Sequence, residues 1–282
     1  MNIVVAGLGI IGGSYCKAIK KYTKHTVIGI NRSPKPLQQA LECGAIDEIG
    51  NEQSLKMADM LILGQYPAAA VDYVKTYGHL IKKGCLVTDT AGIKQAICPQ
   101  MQALSKQHGF VFIGSHPMAG KEKNGFSASD PDLFQGASFI VVPLSASRKD
   151  TSTLCRFALN IGFGGIRITT PEEHDRMIAF TSQLPHVLAC AYVMSPQCKN
   201  HQGFSAGSYR DVSRVANINA PLWAELFLEN RQPLTQELDL LIDNICAIKN
   251  AIETEDGPAL TALLQKGKAV SYTHLTLPTK LE

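Results

Sequence analysis

The feature that most limits the fold is a glycine-rich stretch near the start of the chain. The apolar run 3–7 leads directly into GLGIIGG, residues 7–13, and a helical pattern follows. Gly7 permits a tight turn, Gly9 lets the backbone approach a pyrophosphate, and Gly12 allows the helix to pack close to the strand. One GxGxxG pattern is weak evidence alone. Its place between a strand and a helix favours a dinucleotide site over a plain glycine turn.

Short apolar runs of strand type alternate with helix-length segments through the first part of the chain. The predicted strands are 3–7, 27–30, 60–63, 86–88, 110–113, 139–142 and 166–168. This alternation predicts an α/β fold, with a doubly wound parallel sheet covered by helices on both faces.

The pattern changes near residue 168. Pro171 and the two glutamates after it are typical of a helix start, and long helical patterns follow, for example over 177–194 and 234–252. We therefore predict a dinucleotide-binding domain over 1–168 and an all-helical domain over 169–270. The tail 271–282 has neither helical nor strand periodicity and ends in a Leu-Glu pair typical of a cloning remnant, so we expect it not to be native.

Composition narrows the class of partner. The formal charge of the 282 residues is +3, and no basic block or basic-aromatic run indicates nucleic acid or a charged membrane. The eight cysteines form no CxxC pair, which favours reduced thiols over a disulfide framework. Neither a basic leader nor an uncharged apolar run of about 18 residues is present. We expect a cytoplasmic protein that binds a small molecule.

The predicted cofactor contacts begin in the glycine loop and at the end of the second strand. They are Gly7, Leu8, Gly9, Ile10, Ile11, Gly12, Asn31, Arg32 and Ser33. A carboxylate at the end of that strand would hold the 2′-hydroxyl of NAD, whereas an arginine accepts the 2′-phosphate of NADP. Because Arg32 stands there without an acidic neighbour, NADP is favoured over NAD, although Arg32 could instead be a solvated loop charge.

A histidine just after the fifth predicted strand, 110–113, is the candidate proton acceptor. His116 lies where that strand should leave the carboxyl edge of the sheet, which is the edge where ligands bind in such folds. There it could exchange a proton near neutral pH beside the nicotinamide. Alternatively, His116 could only hydrogen-bond its own loop.

Seven motifs along the chain together resemble the prephenate dehydrogenase family of tyrosine biosynthesis. They are GLGIIGGS at 7–14, DTAGIK at 89–94, SHPMAGKE at 115–122, LFQG at 133–136, HD at 174–175, SQLPH at 182–186 and RDVSRVA at 210–216. The resemblance extends from residue 1 to about 255. It implies a Rossmann-type N-terminal domain followed by an all-α C-terminal domain for substrate binding and dimerisation.

The resemblance implies an NAD(P)-dependent oxidative decarboxylation that converts prephenate to 4-hydroxyphenylpyruvate. A hydride leaves the ring carbon that bears the hydroxyl, and the ring carboxylate leaves as carbon dioxide. Neutral His116 would draw off the hydroxyl proton, so activity should rise with pH. Arg214, with Arg210 one turn earlier, would hold a substrate carboxylate. His186 would bind the side-chain carboxylate or orient its neighbours.

Each of these assignments has an alternative. Arg210 and Arg214 could form a surface charge network, and His186 could cap an apolar helix segment. Glu122 is either a gate residue at the mouth of the site or a solvent-facing charge. Lys94, in the turn that begins at Asp89, could anchor the cofactor or lie on the surface at a helix start.

Further expectations concern a metal, one missing side chain and assembly. His174-Asp175 lacks a third ligand at a metal-binding spacing, so we assign no metal. Gly92 replaces a serine that contacts the substrate hydroxyl in many family members, and a water molecule or Thr90 could take its place. Apolar residues at helical spacing within 234–252 predict a homodimer, unless they pack inside the chain.

Two readings of the function remain open after the sequence. One is the dehydrogenase, with arogenate as an alternative substrate. The other is a non-catalytic dinucleotide-binding sensor, which would need none of His116, His186 and Arg214.

Overall fold

The computed structural model describes residues 1–121 and 123–276. Glu122 and residues 277–282 lie outside the described residues, so the structure does not test the predicted role of Glu122. The described residues form two compact units, one of residues 1–231 and one that begins at residue 232.

The described strands form one eight-stranded sheet in the order β3-β2-β1-β4-β5-β6-β7-β8. They are β1 Asn2–Ala6, β2 Thr26–Ile30, β3 Glu48–Ile49, β4 Met60–Leu63, β5 Leu86–Asp89, β6 Val111–Pro117, β7 Ser138–Val142 and β8 Gly165–Ile168. All seven predicted strands are present, and the two-residue β3 was missed. The strand order reverses beside β1, whose carboxyl end carries the glycine loop, so the fold places this loop where doubly wound proteins bind ligands.

Two strands, β7 and β8, run against the predicted parallel direction, because β7 is antiparallel to β6 and β8 pairs in parallel with β7. The first part of β6 pairs with β5 in parallel, but its second part, Gly114 to Pro117, pairs with β7 in antiparallel fashion. No α-helix lies in the described part of the connection between β6 and β7, so the chain returns without the helical crossover that a parallel neighbour requires. This reversal extends β6 beyond the end of β5 and keeps His116 within a strand.

The apolar runs are continuous because both faces of the sheet are covered. Along β1, Ile3 and Val5 belong to one buried cluster, whereas Val4 and Ala6 belong to a second cluster. Alternate residues of a strand point to opposite faces, and a sheet buried on both sides therefore needs apolar residues at every position.

The first of the described helices alternate with the strands of the sheet, and helices predominate in the described residues after β8. The described helices are α1 Ile10–Tyr22, α2 Pro34–Glu42, α3 Pro67–Tyr77, α4 Cys98–His108, α5 Arg148–Asn160, α6 Pro171–Ile178, α7 Leu184–Val193, α8 Gly207–Ser213, α9 Ala220–Glu229, α10 Arg231–Glu253 and α11 Gly257–Thr276. Among the described residues no strand follows β8. None of the described helices combines the length and apolar character needed to cross a membrane.

Short-range sequence signals explain where α6 begins, but they do not predict how far α11 extends. Thr170 caps α6 by accepting a hydrogen bond from the Glu173 N–H, and Pro171 occupies the first turn, as its sequence predicted. By contrast, α11 continues to Thr276, so residues 271–276 are helical although their sequence has no helical periodicity. A helix that is already formed extends cheaply, because each further residue adds one hydrogen bond without a new nucleus. The non-native origin of the tail stays a prediction.

Candidate active site

The glycine loop has the geometry of a phosphate-binding turn. Gly7 has a φ of +96°, which side-chain-bearing residues rarely adopt, and a Cβ on Gly12 would lie 1.9 Å from the Gly7 carbonyl oxygen. A Cβ on Gly9 would meet nothing within 4 Å. Gly9 also precedes α1 without a side-chain cap, which leaves the first N–H groups of that helix available to an anion. The loop therefore fits a dinucleotide pyrophosphate.

Asn31 ties the glycine loop to the end of β2. Its Oδ1 accepts a hydrogen bond from the Leu8 N–H (2.9 Å), and its Nδ2 donates to the Ser33 carbonyl oxygen (2.9 Å). Arg32 and Ser33 are exposed in the same turn. A cationic side chain thus accompanies the predicted cofactor loop, and no carboxylate belongs to this turn.

His116 is half-buried on β6, opposite Ile140 of β7. Its Nδ1 lies 3.0 Å from Nε2 of His174 on α6, so the alternative that it bonds only its own loop is wrong. Burial, with His174 and Lys94 nearby, holds the pKa of His116 well below its ordinary value. The imidazole is therefore neutral near neutral pH.

His174 and Asp175 lie behind His116 and are almost inaccessible to solvent, with exposures of 2% and 0%. The Nδ1 atom of His174 lies 2.6 Å from Asp175 Oδ1. The same oxygen accepts the Lys94 N–H (2.7 Å), and Oδ2 accepts the Gln95 N–H (2.8 Å). Burial lowers the pKa of His174, against the opposing effect of its hydrogen bond to Asp175.

Lys94 is fully buried, so its alternative as a surface lysine is wrong. Its Nζ donates to Asp89 Oδ2 (2.6 Å) and to the carbonyl oxygens of Ala91 (2.7 Å) and Ile93 (3.2 Å). Asp89 also accepts the Ser115 N–H (3.0 Å) next to His116. Both predicted cofactor residues therefore have buried partners, and the geometry favours a role in positioning His116 over direct contact with a dinucleotide.

His186 lies in the first turn of α7, but it does not cap that helix. Its Nδ1 donates to the Val215 carbonyl oxygen (2.7 Å), and its ring packs on Trp223 with centroids 3.9 Å apart. Arg214 immediately precedes Val215 and is exposed. The structure thus brings His186 and Arg214 to one place, with Arg210 exposed one turn earlier on α8.

Helix α9 lies beside two groups of polar side chains, namely His116 with its buried partners and His186 with Arg214. A Cβ on Gly92 would lie 3.7 Å from His116 Cε1 and 3.7 Å from Leu226 Cδ1. Trp223, which packs on His186, lies one turn before Leu226 on this helix. Thr90, the proposed replacement for the missing serine, donates its hydroxyl to the Leu63 carbonyl oxygen instead (3.2 Å).

The sequence did not reveal the buried partners of His116. His174-Asp175 is one of the motifs of the family resemblance, but the only individual role considered for the pair was metal binding. The described residues contain no group of three or more His, Cys, Asp or Glu that could hold a metal ion. The sequence nevertheless contained a signal that Asp175 has buried partners. Asp175 shares one face of α6 with the apolar Ile178 and Ala179 beyond it, and a carboxylate on an apolar face is rarely tolerated without partners.

Comparison with known proteins agrees with this geometry. The family model for the nucleotide-binding domain of prephenate dehydrogenase matches residues 15–161, and the model for its dimerization domain matches 170–266. A cyclohexadienyl dehydrogenase from Zymomonas mobilis is 30% identical over 99% of this chain and 96% of its own length. A prephenate dehydrogenase from Bacillus subtilis is 28% identical over 95% of this chain and 74% of its own length.

Solved structures with the same architecture include an arogenate dehydrogenase from Synechocystis. It is 26% identical, with a TM-score of 0.81 over 96% of this chain and all of the other. A prephenate dehydrogenase from A. aeolicus, solved with hydroxyphenyl propionate and NAD+, superposes with a TM-score of 0.85 at 24% identity over 97% of this chain and 98% of the other. The second likeness shows the shared fold.

Lys94→Met tests the buried ion pair behind the site. The substitution leaves the Asp89 carboxylate buried without its cation, so we expect the free energy of unfolding in urea to fall by about 3 to 5 kcal/mol. Adding Asp89→Asn removes the stranded charge and should recover part of that loss.

Lys82→Met is the matched control, because the Lys82–Asp59 pair has a similar 2.7 Å distance but is well exposed. It should cost about 1 kcal/mol or less. Equal losses in the two single variants would contradict the buried-pair interpretation.

Proposed function

The chain belongs to the prephenate dehydrogenase family and is an NAD(P)-dependent dehydrogenase of tyrosine biosynthesis, and we propose that it converts prephenate to 4-hydroxyphenylpyruvate. The substrate proposal depends mainly on His116, which is neutral and half-buried. Helix α9 lies beside Gly92 and packs on His186, so it relates His116 to His186 and to the neighbouring Arg214. A sensor would have no use for an imidazole held neutral beside a ligand-binding edge.

The protein's own groups would bind and orient the substrate and move one proton. Nε2 of His116 accepts the hydrogen bond of the 4-hydroxyl and takes up its proton as carbonyl character develops at that carbon. It returns the proton when the ring becomes a phenol. The bound nicotinamide supplies the hydride acceptor, and loss of carbon dioxide supplies the electron pair that completes the aromatic ring. Arg214 would hold a substrate carboxylate through its fixed, permanently charged fork.

The glycine loop and the β2–α2 turn support the cofactor proposal. Residues 7–12 would hold the pyrophosphate, with Asn31 fixing the Leu8 N–H of this loop. We propose NADP in preference to NAD, because the exposed Arg32 could pair with a 2′-phosphate and the turn supplies no carboxylate for a 2′-hydroxyl.

The helical domain supports a homodimer, as the dimerization-domain match suggests. On α10, Ile242 and Ile245 are about half exposed, and Leu238, Leu241 and Ile248 are only partly buried. The apolar stripe is therefore not fully covered within the chain. A single-chain molar mass in sedimentation equilibrium would contradict the dimer.

We also propose a cytoplasmic location, which the eight free cysteines support.

The direct test of the function is a matrix of two substrates and two cofactors. Prephenate and arogenate are each assayed with NAD and NADP by the absorbance of the reduced cofactor. We expect the highest kcat/KM with prephenate and NADP, and a lower preference for NADP in Arg32→Ala. A higher kcat/KM with arogenate than with prephenate would indicate an arogenate dehydrogenase, like the relative from Synechocystis. No turnover with any of the four combinations would favour the non-catalytic sensor.

His116→Asn should lower kcat about a hundredfold or more while dinucleotide affinity stays near that of the wild type. The asparagine amide can replace Nδ1 toward His174, but it provides no base in the position of Nε2. Single-turnover kinetics and cofactor titration measure the two effects separately. Unchanged turnover would remove His116 from the mechanism.

The wild-type pH profile gives a second measure of the same group. Because the pKa of His116 is lowered, its neutral, active form persists below the ordinary histidine range. kcat/KM should therefore be level near neutral pH and fall only as pH drops through the lowered pKa. The increase of activity with pH that the sequence predicts should therefore occur at acid pH.

Arg214→Ala should raise the KM for prephenate by about tenfold to a hundredfold, the scale of a lost charge-assisted hydrogen bond. Arg210→Ala should have a smaller effect, and Arg148→Ala, an exposed arginine on α5, serves as the charge-matched control. An unaltered KM in Arg214→Ala would contradict the carboxylate role.

A further inference from the structure

A chain of three side chains leads from a buried carboxylate to the proposed proton acceptor. Asp175 Oδ1 lies 2.6 Å from His174 Nδ1, and His174 Nε2 lies 3.0 Å from His116 Nδ1. We propose that His174 and Asp175 are positioning residues that hold His116 in the tautomer with its proton on Nδ1 and a bare Nε2. This inference rests on the proposed role of His116.

The first link fixes the proton of His174. An ionised carboxylate can only accept hydrogen bonds, and both Asp175 oxygens already accept backbone N–H groups, from Lys94 and Gln95. The carboxylate is therefore held in one orientation. The His174 nitrogen that faces it must carry the proton. Since burial lowers the pKa of His174, the ring carries a single proton, and its Nε2 is an acceptor.

The second link transmits that choice to His116. An acceptor 3.0 Å from His116 Nδ1 requires Nδ1 to be the donor. The lowered pKa of His116 means that its ring too is neutral, so its other nitrogen keeps a free lone pair. A ring with the opposite tautomer would place two lone pairs against each other in a buried contact and could not accept the substrate proton.

The groups around this chain come from several elements. The turn after β5 contributes the Lys94 ammonium, whose charge disfavours protonation of both histidines, and its partner Asp89. α6 contributes His174 and the Asp175 carboxylate. When His116 accepts the substrate proton, the imidazolium keeps its hydrogen bond to His174, whose Nδ1 donates in turn to the Asp175 carboxylate. The same arrangement of carboxylate, imidazole and base sets the tautomer in hydrolytic triads.

A purely structural role would give the same distances, because the chain also joins α6 to β6. The two roles differ in what they predict for the ring protons. A structural contact tolerates either tautomer of His116 once the fold is intact, whereas the positioning role requires one.

The decisive experiment is 15N NMR of the wild-type protein labelled on its histidine rings, at a pH above the ordinary histidine pKa. The His116 signals are assigned by their loss in His116→Asn. We expect a protonated Nδ1 and a bare Nε2 for both His116 and His174. A dominant Nε2–H form of His116 would overturn the proposal. This measurement needs no substrate, so it fails or succeeds independently of the proposed reaction, which wild-type turnover of prephenate tests separately.

Variants at His174 then connect the tautomer to turnover. His174→Phe keeps a flat ring but removes the acceptor, so we expect kcat to fall by about tenfold to a hundredfold with little change in KM or cofactor affinity. The Nε2–H tautomer of His116 should appear in its NMR spectrum. His174→Gln can place its amide oxygen near the original Nε2 position and should recover most of kcat. His79→Phe, at an exposed histidine, is the control.

Equal losses in the Phe and Gln variants, or an unchanged kcat in His174→Phe, would overturn the positioning role. Should His174→Phe fail to fold, the wild-type NMR result decides the proposal by itself.

Discussion

A buried carboxylate organises the centre of this molecule. Asp175 has no exposure to solvent, and an ionised carboxylate in that position would be very unfavourable without partners. Three donors satisfy it: the N–H groups of Lys94 and Gln95 and the ring of His174. Its own carbonyl oxygen accepts a further bond from the Asn230 side chain (2.9 Å). Breaking any of these contacts would strand a buried polar group, so α6 is held firmly against the turn that follows β5.

This constraint explains how a strand residue becomes part of a site built by helices. His116 projects from the part of β6 that pairs with the antiparallel β7, and α6 supports it from behind. Its environment disfavours positive charge through burial and through the nearby Lys94. At the front, Gly92 leaves space between His116 and Leu226 that a side chain would occupy. The imidazole is therefore fixed on one side and accessible on the other, which suits a group that must meet a substrate in a defined orientation.

Most of the sheet and the cofactor loop could be predicted because their signals are local. Gly7 needs a positive φ and Gly12 needs close contact with Gly7, and both requirements lie within six residues of sequence. The central strand β4 is apolar at every position, and β1 at all but its first, because both faces of the sheet are buried there. The antiparallel β7 could not be inferred in this way, because its direction depends on how the connection after Pro117 returns to the sheet. His186 shows the same limit, since only the tertiary contacts with Val215 and Trp223 show that it does not cap its helix.

The sequence alone determined the family, the doubly wound sheet, the glycine-rich loop and the candidate histidine, because each depends on residues that are neighbours along the chain or on motifs in a fixed order. Only the tertiary structure decided which buried partners those residues have. Lys94, read as a possible surface residue, is enclosed with Asp89, and His174-Asp175, set aside as an incomplete metal site, supports His116 across 58 residues of chain. Hydrogen bonds between distant segments carry no periodic signal, and they become visible only when the sheet and α6 have brought the two histidines within 3.0 Å.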